Sequence, residues 1–488
     1  MRFRFCLLLL SCFCSCNRYP GDNSPPAALN GEYWKKQALT DILPYWTNNA
    51  RDTAYGAFHT SLGTRWEPSG DSLIYPSMIS RHLFSYSVAF LMTGDKHYLT
   101  IADSTSNYLL RHAWDKEYGG WYNALERNGS VADSGKATFI QVYANTGLAM
   151  YYFVTLDATV RKYIDASNRL LESNTWDHEY DGYYNAMTRD WQVNDDRKSF
   201  SSQVAHISGY LITLYLATGD EKYLLQAERI MKVIMDRMWD EKTGWLCELF
   251  NRTWEVIPGA QDEINIGHNL EVAWMLRRLA MLRQQTVMDS TFQRLVQNLR
   301  NYGFCQAEGI WFVSVDRLQP VRNSNDTYWW IQAYGNMFCL SMYRATGDKK
   351  YLEDFERSAR FWNRYIIDTI HGDKYFRISR QGEVLDSIKA NPYKTSYHSM
   401  EHGFLNYLYL KLWLQDQAVE LYFHSRHPEQ KKMLRPVPVE DMNICIRKIV
   451  RDDESFVPPD NECVREVLLP PLKQPEIKVL LGRRKKAG

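Results

Sequence analysis

Gly219-Asp220-Glu221-Lys222-Tyr223-Leu224, running on through Leu225-Gln226-Ala227-Glu228-Arg229-Ile230 to Trp239-Asp240 and Gly244-Trp245, is one copy of a pattern that returns along this chain. Gly94-Asp95-Lys96-His97-Tyr98-Leu99 leads to Trp114-Asp115 and Gly119-Gly120-Trp121-Tyr122, and Gly347-Asp348-Lys349-Lys350-Tyr351-Leu352 leads to Asp368 and Gly372. Trp176-Asp177 leads likewise to Gly182-Tyr183-Tyr184, with weaker copies at Tyr55-Gly56-Ala57-Phe58 and Gly309-Ile310-Trp311-Phe312. Six copies spaced at roughly 60-odd residues signal a repeat architecture. The apolar spacing from Tyr223 to Ile230 is that of an amphipathic helix, so each unit reads as helix, Gly-Asp turn, second helix and short aromatic hairpin. Two helices in each of six units predict an all-α (α/α)6 barrel over residues 33–414, because closing the ring buries every unit's apolar face without terminal caps.

Beyond about Ala418 the repeat stops. Val419 to His424 and Ile444 to Val450 alternate like strands between Pro436-Val437-Pro438 and Pro470-Pro471, which predicts a small β-rich appendage over 418–488. At the other end, Arg2 and Arg4 precede the apolar run Phe5 to Leu10, too short to span a bilayer, so residues 1–16 read as an export signal. Cys16 is the expected lipidated residue, with Cys12 as the alternative site and a plain secretory signal as the alternative reading. Residues 17–32, rich in Pro, Asn, Gly and Ser, read as a tether. The expected location is a bacterial periplasm or cell envelope, with membrane attachment only through lipid. Cys247, Cys305, Cys339, Cys445 and Cys463 show no paired spacing, so neither a disulfide framework nor a zinc site is expected.

The 58 Lys+Arg and 57 Asp+Glu leave a net charge of +1, which gives no field for a phosphate backbone, and nucleic acid is not an expected partner. Aromatic residues make up 14% of the chain, with 16 Trp and 32 Tyr, whose polar edges want partners and whose faces suit sugar stacking.

Chemistry should gather where inner helices begin. Gly267-His268-Asn269-Leu270-Glu271 puts His268 and Glu271 three residues apart on one helix face, and a helix start lowers an imidazole's pKa. His206 and His398 stand near the starts of two other inner helices, and the three are read as equivalent positions of different units. A ring would bring them to one cavity, suited to proton transfer on opposite faces of a bound sugar.

These pieces resemble the N-acylglucosamine 2-epimerase and cellobiose 2-epimerase superfamily over most of Tyr33 to Leu414. The resemblance rests on Ser80-Arg81-His82-Leu83-Phe84, Gly267-His268-Asn269-Leu270-Glu271 with Trp274, Tyr328-Trp329-Trp330-Ile331-Gln332-Ala333, and Lys394 with Tyr397-His398. It implies a cofactor- and metal-independent isomerase in which His268 and His398 exchange the C2 proton of a reducing sugar through an enediolate. His206 would assist ring opening or hold the sugar, Glu271 would orient His268, and Arg81 would stabilise oxyanion charge. Trp329, Trp330, Gln332, Tyr334, Tyr393 and Ser202 would contact the sugar. The chain departs from the family pattern at Ser202, Gly209, Tyr334, Glu401 and Phe139, which predicts a different preferred sugar. Two rival readings are a glycoside hydrolase or lyase, with Asp133, Glu248, Asp262 and Asp326 as candidate carboxylates, and a non-catalytic glycan-binding lipoprotein.

Overall fold

The computed structural model describes residues 27–257, 259, 262–285, 289–319, 324–459 and 462–484. The expected export signal, with Cys12 and Cys16, lies outside the described residues, as does most of the tether. The tether's last residues are packed: Ala27–Leu29 form a 3-10 turn with Ala28 buried, and the Asn30 side chain accepts from Glu32 N at 3.0 Å to start a helix at Gly31. The helical region therefore begins slightly before residue 33.

Twelve main helices run through the described residues in two layers. The inner six are α2 (Pro76–Thr93), α4 (Thr138–Thr155), α6 (200–218), α8 (Ile266–Leu282), α10 (Trp329–Thr346) and α12 (Tyr397–Tyr409). The outer six are α1 (31–49), α3 (Lys96–Tyr108), α5 (Ala158–Asn174), α7 (Glu221–Val233), α9 (Ser290–Asn298) and α11 (Lys349–Phe361). Each inner helix packs on the next, and α12 returns to α2, so the contacts close a cycle. The first helix in the chain, α1, supplies the outer partner of the last inner helix, α12.

The Gly-Asp turns join the layers. Gly94, Gly219 and Gly347 end inner helices at φ near +70°, a left-handed conformation glycine adopts without a Cβ clash, and the next aspartate caps the outer helix. Leu156, at φ 54°, takes the glycine's place before Asp157.

Four of the aromatic hairpins are clamped by an amide near the start of the following inner helix. Trp121 N donates to Gln141 Oε1 (2.7 Å), Tyr183 N to Gln203 (2.9 Å), Leu246 N to Asn269 Oδ1 (3.0 Å) and Trp311 N to Gln332 Oε1 (3.1 Å). Neighbouring units are tied by buried charge. Asp115 accepts from Lys136 and from Arg189 of the next unit, and Asp177 accepts in the same way from Lys198 and Arg252.

The C-terminal region carries a four-stranded antiparallel sheet in the order Val419–His424, Glu476–Arg483, Ile444–Arg451, Glu454–Phe456. It is not a separate unit, since one apolar core runs through ring and sheet, with Phe423 packed on Phe153. It covers the end where inner helices finish: Tyr422 lies against Gly94, Arg278 bonds Glu440 at 2.6 Å, and Arg344 bonds Asp441 at 2.9 Å. Cys445 and Cys463 form a disulfide, against the expectation of none. The bond ties Cys445, on the strand Ile444–Arg451, to Cys463, 18 residues on, a pairing that no spacing motif announces.

Candidate active site

The amide clamps fix a common register for the inner helices. The residue before the clamp is Ile140, Ser202, His268 and Ile331 in successive units, and the residue two after it is Tyr143, Ala205, Glu271 and Tyr334. His206 stands three after. It is fully buried, stacked on Tyr183 at 3.9 Å, and burial pushes its pKa down to about 3. His82 on Phe58 and His402 against Trp362 are packed in the same manner, which registers Arg81 and Glu401 with Glu271, and His398 with His268. The expected equivalence of three histidines is thus corrected: Ser202 is the counterpart of His268, and His206 lies four residues, over a turn, deeper.

The structure brings Arg81, His268, Glu271, Trp329, Trp330, Tyr334, Tyr393 and His398 around one cavity of about 330 Å³ at the mouth formed by the inner-helix starts. Three expected residues are elsewhere. His206 is packed as above. Ser202 exchanges hydrogen bonds with Ser199 at the start of α6, and Gln332 is spent on its hairpin clamp and Ser358. Phe139, Tyr143 and Phe200 are also part of the lining.

His268 lies between Phe200, stacked at 4.0 Å, and Trp330 at 5.4 Å. Its Nδ1 is 2.9 Å from Glu248 Oε1, so Glu248, not Glu271, orients the ring. Burial alone would lower this imidazole's pKa, but the Glu248 charge and hydrogen bond override it and the pKa is raised, contrary to the helix-start expectation. Glu248 comes from a hairpin twenty residues earlier in sequence, where it stood out only as a candidate hydrolase carboxylate and nothing tied it to His268.

His398 faces the same indole, 6.3 Å from Trp330, with Tyr334 edge-on at 5.5 Å. Burial, helped by Arg81, holds its pKa well below the usual value. Glu271 lines the cavity with its pKa pushed up to about 7 by burial. Arg81 is buried with its guanidinium 3.9 Å over the Tyr143 ring, and its Nε and Nη1 have no hydrogen-bond partner. Unmet donors on a buried arginine that lines the cavity favour an oxyanion there.

Of the carboxylates a hydrolase would use, Glu248 is engaged by His268, Asp326 pairs with Arg377, and Asp133 and Asp262 are exposed outside the cavity.

Helix starts thus converge on one mouth, where two imidazoles with opposed pKa shifts stand beside an indole. The chain belongs to the N-acylglucosamine 2-epimerase family, whose model matches residues 75–401. A cellobiose 2-epimerase of Bacteroides fragilis is 24% identical over 75% of this chain and 95% of its own length. A D-mannose isomerase of Marinomonas mediterranea is 23% identical over 69% of this chain and 86% of its own. The solved cellobiose 2-epimerase of Bacillus thermoamylovorans shares the fold, with a TM-score of 0.70 at 19% identity over 78% of this chain and 98% of that one. The chain is therefore an isomerase, a sugar epimerase in its broad class.

Proposed function

We propose that the helical ring is an (α/α)6 barrel whose mouth epimerises a reducing sugar at C2, or isomerises it, through an enediolate. One observation carries this reading: His268 and His398, at the same register position of two units, flank one cavity with opposite protonation preferences. Neutral His398 takes the C2 proton from one face, and the electron pair moves into the C1–C2 enediolate. Protonated His268, held by Glu248, delivers a proton to the other face. Arg81 bears the oxygen's negative charge. Trp329, Trp330 and the exposed Tyr393 at the rim stack on the sugar. The ring-opening role falls away from His206, which is sealed from the cavity.

Cellobiose-type disaccharides, free aldoses and N-acylglucosamines are the substrate classes to test, in heavy water, with NMR reading deuterium at C2. Exchange with any of them supports the reading; cleavage of a glycan without exchange overturns it. We also propose export with lipid attachment at Cys16. The apolar segment ending in cysteine supports this, and a disulfide such as Cys445–Cys463 persists in an oxidising compartment.

A further inference from the structure

We propose that Glu401 is a positioning residue for His398, and that the two close into an imidazole–carboxylate pair when sugar fills the cavity. This rests on the acid–base reading above. Glu401 lies one turn beyond His398 on α12, with its Oε2 3.8 Å from His398 Nδ1. Both atoms are buried and neither has a hydrogen-bond partner. Tyr397 OH donates to the other oxygen, Oε1, at 3.0 Å, which fixes the carboxylate so that Oε2 is the free acceptor. Two unmet buried polar atoms this close gain by meeting.

The site then holds two such pairs. His268–Glu248 is already formed, with its carboxylate on a hairpin, whereas His398–Glu401 is open and lies within one helix. Other groups facing the second pair are Arg81 on α2, Tyr143 on α4, Glu271 and Arg278 on α8, and Tyr334 on α10. Arg278 also draws Glu401 toward its charged form against a burial that pushes its pKa up to about 7. In the step, Nδ1 carries the hydrogen donated to Oε2, and the ring's other nitrogen forms the new N–H bond as the C2–H bond breaks. The electron pair passes to the enediolate, and Glu401 holds the resulting imidazolium without taking its proton.

The test uses the whole chain as wild type, Glu401→Gln, Glu401→Asp and Glu248→Gln. Deuterium wash-in at C2 is followed from each of the two epimers of a substrate separately. Glu401→Gln should slow wash-in from the epimer whose C2–H faces His398 by roughly 10- to 100-fold, less than the loss of a whole acid–base group. Wash-in from the other epimer and KM should stay near wild type, Glu401→Asp should recover part of the loss, and Glu248→Gln should show the mirror asymmetry. Equal slowing from both epimers by Glu401→Gln would overturn the assignment. Independently of turnover, NMR titration of histidine-labelled protein saturated with a reducing sugar should show Glu401→Gln lowering the His398 pKa while leaving that of His268; an unmoved His398 would overturn the pairing even if the wild type exchanged no sugar tested.

Discussion

His206 and His268 look alike in the sequence, yet a shift of four residues along an inner helix separates a packing residue from a cavity residue. The difference predicts two distinct losses. His268→Asn and His398→Asn should each lower kcat by roughly 10²- to 10⁴-fold with little change in melting temperature. His206→Ala removes a ring stacked on Tyr183 and should cost on the order of 3 kcal/mol by chemical denaturation, with turnover changed only a few-fold. The pH profile follows from the two opposed shifts. His398 must be neutral, so the acid limb of kcat/KM lies below the usual imidazole value; His268 must be protonated, so the alkaline limb lies above it. Glu248→Gln removes the group that raises His268 and should move the alkaline limb alone to lower pH, in rates measured across the range. His268, His398 and Glu271 were legible as cavity residues because helix-start motifs carry them, and Arg81 and the two tryptophans through the family resemblance. Glu248 stood out only as a carboxylate; its hold on His268 was not legible, since it depends on a hairpin folding back twenty residues onto the helix.

At the scale of elements, the Trp-Asp and aromatic-hairpin copies were legible as repeats, but what they bind was not. Each aspartate is a socket for the next unit's cations, and each clamp is an amide that reads in sequence as one more polar residue near a helix start. That is why Gln332 passed for a sugar contact. Asp177→Asn would leave Lys198 buried beside an uncharged group and cut two bonds from Arg252, which should cost about 3–5 kcal/mol in urea unfolding. The sign with pH is fixed by direction: the pKa values of Asp115 and Asp177 are depressed, with burial opposed and outweighed by the arginine and lysine bonds. Their contribution is therefore present above the unfolded aspartate value near 4 and is lost as pH falls below it toward the folded value. Thermal midpoints should drop steeply in that acid range in the wild type and less steeply in Asp177→Asn.

For the whole molecule, six-fold repetition predicted the two helical layers, while the way the ring closes and what seals it depended on long-range contacts. The first helix completes the last unit, and the C-terminal sheet lies across the end remote from the cavity, meeting it through Arg278–Glu440 and Arg344–Asp441. The sheet's disulfide spans 18 residues, so Cys445→Ser with Cys463→Ser should lower stability by about 3 kcal/mol in denaturant titrations while leaving KM unchanged. Everything converges on the mouth, where two histidines from different units share one indole face. The most direct test is NMR of C1 and C2 in heavy water with the purified enzyme, His268→Asn and His398→Asn on a panel of reducing sugars. The account predicts solvent deuterium at C2 of an epimeric product, or at C1 of a ketose product, with the wild type, and conversion slowed by roughly 10²- to 10⁴-fold with either variant. Conversion without solvent deuterium at that carbon, or conversion at the wild-type rate by either variant, would contradict it.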